Sequence, residues 1–351
     1  MSGPVVAGVD GSRRSLTAAE WAAREAARRG VALRLVHACP PLPRRVSPVP
    51  GVDAWQQVGE QMLGRTVADF RARHAGLEID GKHTAAEPAE ALLTAATSAG
   101  LLVVGARGWG GFDGLAVGSV ALRVTAMADC PVVTVPETRR TGTGRDAWAG
   151  PDSSRGPVSS RRPVSSRGPN SSAGPDGSPG PDSSRGPDSS AGPDSSAGPD
   201  GWAAAETAEV QLGFGAHAPA EATAAFAFRA AQERGVPLRV VHAWALPPAS
   251  PSAWMLTVLE EDRAMWEDQE SQVVSDALRP WRERCPEVTV VPDVVLLNPA
   301  EALVRASERA GLLVIGRRTA TRPTELRLGP VAHAVLHHAR CPLAVVPHPA
   351  G

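Results

Sequence analysis

The sequence predicts an α/β protein made of two tandem domains, each a doubly wound, five-stranded parallel sheet, joined by a disordered linker. Three observations carry this. Four segments recur in the same order: VVAGVDGS (5–12) as VQLGFGAH (210–217), RRGVALRLVHA (28–38) as ERGVPLRVVHA (233–243), EPAEALLTAATSAGLLVVG (87–105) as NPAEALVRASERAGLLVIG (298–316), and DCPVVTVP (129–136) as RCPLAVVP (340–347). Order and spacing together mark a duplicated domain of about 140 residues. Within each copy, short runs that are apolar at every position alternate with amphipathic stretches, the pattern of parallel strands covered on both faces by helices. Between the copies, residues 137–205 repeat GPDSS followed by Arg or Ala and hold almost nothing to bury. Without burial nothing offsets backbone entropy, so this stretch is expected to be disordered; glycine at every third position, which collagen needs, is absent. The expected boundaries are 1–136, 137–205 and 206–349.

In order along the first copy, the apolar run 5–10 predicts a strand and 15–29 a helix. LRLVHA (33–38) predicts a second strand, 54–74 an amphipathic helical region, and 78–84 a weaker third strand. Pro88 suits a first helical turn and opens a third helix. LLVVG (101–105) predicts the fourth strand, 118–128 a fourth helix, and PVVTV (131–135) the fifth strand. The second copy follows the same plan.

Composition narrows the function classes. The 36 basic and 37 acidic residues nearly cancel, which argues against a nucleic-acid or membrane-surface protein. Lys82 is the only lysine, a bias expected of a G+C-rich bacterial coding sequence. The four cysteines, Cys39, Cys130, Cys285 and Cys341, form no CxxC pair and predict reduced thiols. The start lacks the plan of a signal peptide, and no apolar run approaches the roughly 18 residues of a membrane span, so a cytoplasmic location is expected.

Between 105 and 119 the chain reads GARGWGGFDGLAVGS, six glycines in fifteen positions. In a doubly wound sheet, ligands bind beyond the carboxyl ends of the strands where the strand order reverses. This loop leaves the fourth strand at that edge and runs into a helix N-terminus, whose N–H groups and partial positive charge favour phosphate. The glycines would let the backbone fold closely around a nucleotide. A merely mobile loop is the plainer alternative.

The spacing Gly105-x2-Gly108-x9-Gly118-Ser119 resembles the G-x2-G-x9-G-S/T signature of the ATP-binding universal stress protein family. The resemblance extends to the start ending at Asp10, to LVHA (35–38), LLVVG and the CPV strand, and covers both flanks of the linker. It implies an adenine nucleotide alpha-hydrolase-like fold and an ATP site in the first copy. Asp10 would then hold the ribose hydroxyls and Ala38 would meet adenine through its backbone. Gly105, Arg107 and Gly108 would line ribose and phosphates, and Gly118, Ser119 and Val120 would hold the phosphate chain. Magnesium or manganese with the phosphates is implied by the resemblance alone, as is pairing of the two copies in the manner of homodimeric family members, with homodimerisation of the whole chain left open. For Asp10 the plainer reading is a turn residue, for Ser119 a helix N-cap, and for Arg107 a solvated charge.

The second copy departs from the signature. Gly215 replaces Asp10, Thr319 replaces Gly108 and Pro330 replaces Ser119, leaving Gly316 and Gly329. Proline offers no N–H to a phosphate, so this copy is expected not to bind ATP in the family's manner. The GxGxxA match at 213–218 lacks the acidic partner of a dinucleotide fold, and no Walker A loop occurs. His333 and His337, four apart, could share a metal but read better as an exposed helix face. His37 and His242 read as packed, hydrogen-bonded strand-end histidines, Cys130 and Cys341 as packing, and Trp254, Trp266 and Trp281 as core or domain contacts. Three functions remain: a nucleotide-dependent stress or regulatory protein, a slow ATPase or adenylyl- or phosphoryl-transfer enzyme, and a ligand-free interaction scaffold. No poised base, nucleophile or lysine lies near the loop, which favours the first.

Overall fold

A computed structural model describes residues 3–40, 52–108, 117–136, 208–245, 260–319 and 328–349; the predicted linker and residues 109–116 of the glycine-rich loop lie outside the described residues. The first copy runs β1 (Val5–Gly8), α1 (Arg13–Arg29), β2 (Leu33–Ala38), α2 (Val52–Arg73), β3 (Ile79–Thr84), α3 (Pro88–Ala96), β4 (Leu101–Gly105), α4 (Ser119–Met127) and β5 (Val132–Val135). The second repeats it as β6 (Val210–Gly213), α5 (Glu221–Arg234), β7 (Leu238–Trp244), α6 (Glu260–Arg284), β8 (Val290–Leu296), α7 (Pro299–Ala306), β9 (Leu312–Arg318), α8 (Pro330–His338) and β10 (Leu343–His348).

The strands form one sheet in the order β3-β2-β1-β4-β5-β10-β9-β6-β7-β8. Within each half every pairing is parallel, and the order reverses between β1 and β4 and again between β6 and β9. The halves join where β5 and β10 pair antiparallel, Thr134 opposite Leu343 and Val132 opposite Val345. Both copies belong to one compact unit.

The sheet is covered on both faces, as uniformly apolar strands require. One layer gathers α1, α2, α5 and α6 over Leu33, Leu101, Leu212 and Leu238, with Phe70 and Phe228 fully buried among them. The other packs α3, α4, α7 and α8 over Leu102, Val132, Leu313 and Val345. Both layers run unbroken across the seam. Ala18, Ala19, Ala22, Ala23 and Ala26, all buried, give α1 a face of small side chains against the sheet. The edge strands differ: β3 carries exposed Lys82 and half-exposed Asp80, and β8 carries Pro292, tolerated where no neighbour needs its N–H.

The first strand stops at Gly8, short of the expected Asp10, and α1 starts at Arg13 instead of 15. The cause is local. Ser12 caps α1 by accepting from Ser15 N at 3.2 Å, and Gly11 takes a φ of 80°, which turns the chain out of the sheet beforehand. Gly30, at φ 62°, ends the same helix in the left-handed cap that glycine favours.

A buried ion cluster sits at the seam. Glu25 of α1 has no exposed surface, and its Oε2 lies 2.5 Å from Arg234 Nη2 of α5, while Oε1 lies 2.6 Å from Arg29 Nη2. Burial pushes the Glu25 carboxyl up, but Arg234, Arg29 and Arg28 together outweigh it and hold the group below its ordinary range. Arg29 stacks over Phe226, and Arg234 over Trp21, at 5.3 and 5.9 Å from the ring centres. Each arginine thus covers an aromatic ring of the opposite copy.

Candidate functional site

The reversal between β1 and β4 opens a cavity of about 350 Å³ at the carboxyl ends of these strands. All eight residues expected at a ligand site line it: Asp10, Ala38, Gly105, Arg107, Gly108, Gly118, Ser119 and Val120. Leu92 and Val36 add apolar wall. Lys82 lies away, on the edge strand β3.

Asp10 is held by its neighbours. Its Oδ1 accepts from Ser12 N at 2.9 Å, and its own N–H points to Ser15 Oγ at 3.2 Å. Ser15 Oγ donates in turn to Ser12 O at 2.9 Å. The carboxylate is fixed at the mouth of β1 by the same turn that starts α1.

Two glycines sit at close approaches. A Cβ on Gly108 would stand 2.6 Å from Asp10 Oδ2, and one on Gly105 would stand 3.2 Å from the backbone oxygens of Arg14 and Arg107. Gly108 therefore lets the loop pass directly over the aspartate.

The start of α4 faces the same cavity. Gly118 is its N-cap and no side chain caps it. The first intrahelical bond is Leu122 N to Gly118 O, 3.0 Å, so the N–H groups of Ser119, Val120 and Ala121 precede the helical ladder, as at any helix start. Gly118 N–H donates to Ala106 O at 2.7 Å and closes the loop before the helix starts.

The second copy shapes the corresponding place differently. β9 and β10 stay paired through Arg317 opposite Pro347 and Arg318 opposite His348, beyond the point where β4 and β5 end. Thr319 N then donates to His348 O at 2.8 Å. A Cβ on Gly316 would meet Thr223 Oγ1 at 2.9 Å and the His348 ring at 3.0 Å, so side chains fill the space beside this glycine. Pro330 occupies the first turn of α8, where Ser119 stands in α4.

The other singled-out residues fall as follows. His37 Nδ1 lies 2.8 Å from Val9 O and His242 Nδ1 3.0 Å from Phe214 O, the bonded strand-end histidines that were expected. Cys130 and Cys341 are buried, and burial pushes their thiols up to about 11 and about 12. Trp281 stacks on Phe228 at 5.4 Å against the core, Trp266 is half-buried, and Trp254 lies outside the described residues. His333 is exposed, with its ring 4.6 Å from that of His337. Burial, then the neighbouring His333 and His338, hold His337 below its ordinary pKa. Among the described residues no helix is long and apolar enough to cross a membrane.

Sequence reasoning missed one cluster. His217, His242 and Glu270, from three separate elements, bring their ligand atoms within 4.8 Å of one another. No spacing motif announces it.

Comparison with known proteins agrees with this architecture. The profile of the universal stress protein family matches residues 1–136 and 211–347, both copies and nothing between. Universal stress protein Rv2623 of Mycobacterium tuberculosis is 39% identical over 137 residues, 38% of this chain and 46% of that protein, so the match spans under half of the relative. Universal stress protein Rv2005c of the same organism is 26% identical over 348 residues, covering 97% of this chain and 96% of the relative. The crystal structure of a universal stress protein from Archaeoglobus fulgidus superposes over 99% of this chain and 97% of its own, with a TM-score of 0.57 at 14% identity, a likeness of fold. With its profile matched twice along a duplicated, doubly wound sheet, the chain belongs to the universal stress protein family.

Proposed function

We propose that the first copy binds ATP and that the protein works as a nucleotide-dependent stress or regulatory protein. The observation that carries this is the convergence of Asp10, the Gly105–Gly108 loop and the start of α4 on one cavity. A carboxylate fixed at one end is suited to accept the two ribose hydroxyls. At the other end, the leading N–H groups of α4 and the Ser119 hydroxyl are suited to phosphate oxygens. Ala38, ending β2, leaves backbone at the wall between for a base edge. The volume lies within the usual range for small-molecule pockets, about 300–1,000 Å³.

The lining also suits a divalent ion carried in with the nucleotide. Asp10, Ser15 and Ser119 are the oxygen-bearing side chains of the lining. Magnesium typically takes only one or two protein oxygens and fills its shell with phosphate and water. Such an ion would neutralise phosphate charge; holding the nucleotide falls to the backbone.

Titration calorimetry with ATP tests the proposal. The full-length protein should bind one ATP per chain, and Asp10→Ala should weaken it by about 10–100-fold, the cost of charged hydrogen bonds. Failure of the folded wild type to bind millimolar ATP would refute it. A turnover assay with labelled ATP separates binding from hydrolysis, with slow or absent turnover expected.

A further inference from the structure

We infer that the second copy carries a zinc-type divalent metal site made of His217, His242 and Glu270. This rests on the second copy alone and is independent of ATP binding by the first.

The three side chains come from different elements around the carboxyl end of the second half: His217 from the turn after β6, His242 from β7, and Glu270 from α6. Both imidazoles aim Nε2 at one carboxylate oxygen. His217 Nε2 lies 2.9 Å from Glu270 Oε2, and His242 Nε2 lies 3.1 Å from the same atom. Zinc bonds of about 2.0–2.2 Å in tetrahedral geometry hold neighbouring ligand atoms about 3.3 Å apart. These two separations are a few tenths of an ångström from that, and all three ligand atoms lie within 4.8 Å of one another, so the two imidazoles would draw toward each other to share an ion.

With N–H on Nδ1, His242 turns a lone pair toward Glu270. Its closer Nδ1 contact is the Phe214 carbonyl at 3.0 Å, an acceptor that calls for N–H on Nδ1; the Ala216 N–H is more distant, at 3.4 Å. Nε2 then carries a lone pair, and it faces a carboxylate oxygen. Two electron-rich atoms at 3.1 Å need a proton or a metal ion between them. A backbone carbonyl orienting Nδ1–H is also the usual outer support of a metal-bound histidine. His242 is buried, Glu270 is mostly covered, and His217 is two-thirds exposed, which leaves an ion one open side toward solvent. Two histidines and a carboxylate with an open fourth position are a zinc ligand set.

The first copy shows what was exchanged. His37, matching His242, keeps the carbonyl bond to Val9, but Ser12 stands where His217 does. There α2 presents Gly59, on which a Cβ would lie 2.7 Å from His37 Nε2. The cluster therefore belongs to the copy that lost the aspartate and serine of the nucleotide signature.

The test titrates metal-stripped, full-length protein with Zn²⁺ by calorimetry and with Co²⁺ by visible absorption, where four-coordinate cobalt is strongly coloured. One ion per chain is expected. Glu270→Gln, which keeps the side-chain size, and His217→Ala, at an exposed position, should each weaken binding by about tenfold or more while circular dichroism stays native. His337→Ala, at the His333–His337 pair of α8, should bind as the wild type does. Absence of binding in the wild type, or unchanged affinity in the Glu270 and His217 variants, overturns the site and leaves hydrogen bonds between the histidines and the glutamate.

Discussion

The Glu25 carboxylate of the first copy meets the Arg234 guanidinium of the second at 2.5 Å, with no water-exposed surface on the acid. Removing one member of a buried ion cluster strands the others without a counter-charge, which typically costs about 3–5 kcal/mol. Glu25→Ala should lower the urea midpoint of full-length protein by an amount corresponding to about 3 kcal/mol. Equilibrium unfolding followed by tryptophan fluorescence measures it.

The same residue sets a pH dependence. Because the folded carboxyl lies below its ordinary value of 4.5, its contribution is fully present above that value and is lost as pH falls through the lowered one. Stability should therefore fall on acidification below about pH 4.5, and Glu25→Gln should flatten that slope, since a glutamine cannot take up the proton. Parallel slopes for the two proteins would assign the acid transition to other carboxylates.

Gly108→Ala should weaken ATP binding by about tenfold, roughly 1.4 kcal/mol, by pushing the Asp10 carboxylate away. Paired with Asp10→Ala the two losses should not add, because the added methyl then has nothing to displace. Additive losses in the double-mutant cycle would mean that Gly108 acts apart from Asp10.

Ser119→Pro copies into α4 the proline that the second copy carries at Pro330. Proline is well tolerated in a first helical turn, so thermal stability should change little. It removes an N–H and the hydroxyl from the cavity, so ATP affinity should fall by about tenfold or more. Unchanged affinity would take the start of α4 out of the phosphate site.

Cys130 and Cys341, with thiols pushed up to about 11 and about 12, should resist a disulfide reagent at pH 8 until the protein unfolds. Cys39 and Cys285, half-buried, should react first. Counting thiols released with and without denaturant distinguishes the two pairs.

Much of this architecture was legible because the signals were local. Uniformly apolar runs such as LLVVG gave the parallel strands, Pro88 and Pro299 began helices where prolines suit, and the duplicated segments gave the second half from the first. The glycine spacing gathered the residues that line the cavity, since loops at a sheet's switch point converge on one place. What stayed hidden depends on pairs distant in sequence. Nothing near Glu25 marks Arg234 as its partner, and the bond of Gly118 N–H to Ala106 depends on how the loop closes. His217, His242 and Glu270 meet where Glu270 of α6 reaches the end of β7 and the turn after β6.

The antiparallel pairing of β5 with β10 has a consequence for how the chain holds together. Each half, taken singly, would end in a strand with one row of backbone groups unmet, the kind of border that recruits another molecule. Tethering supplies the neighbour within the same polypeptide, so closure of the sheet is governed by effective concentration and not by how much protein the cell contains.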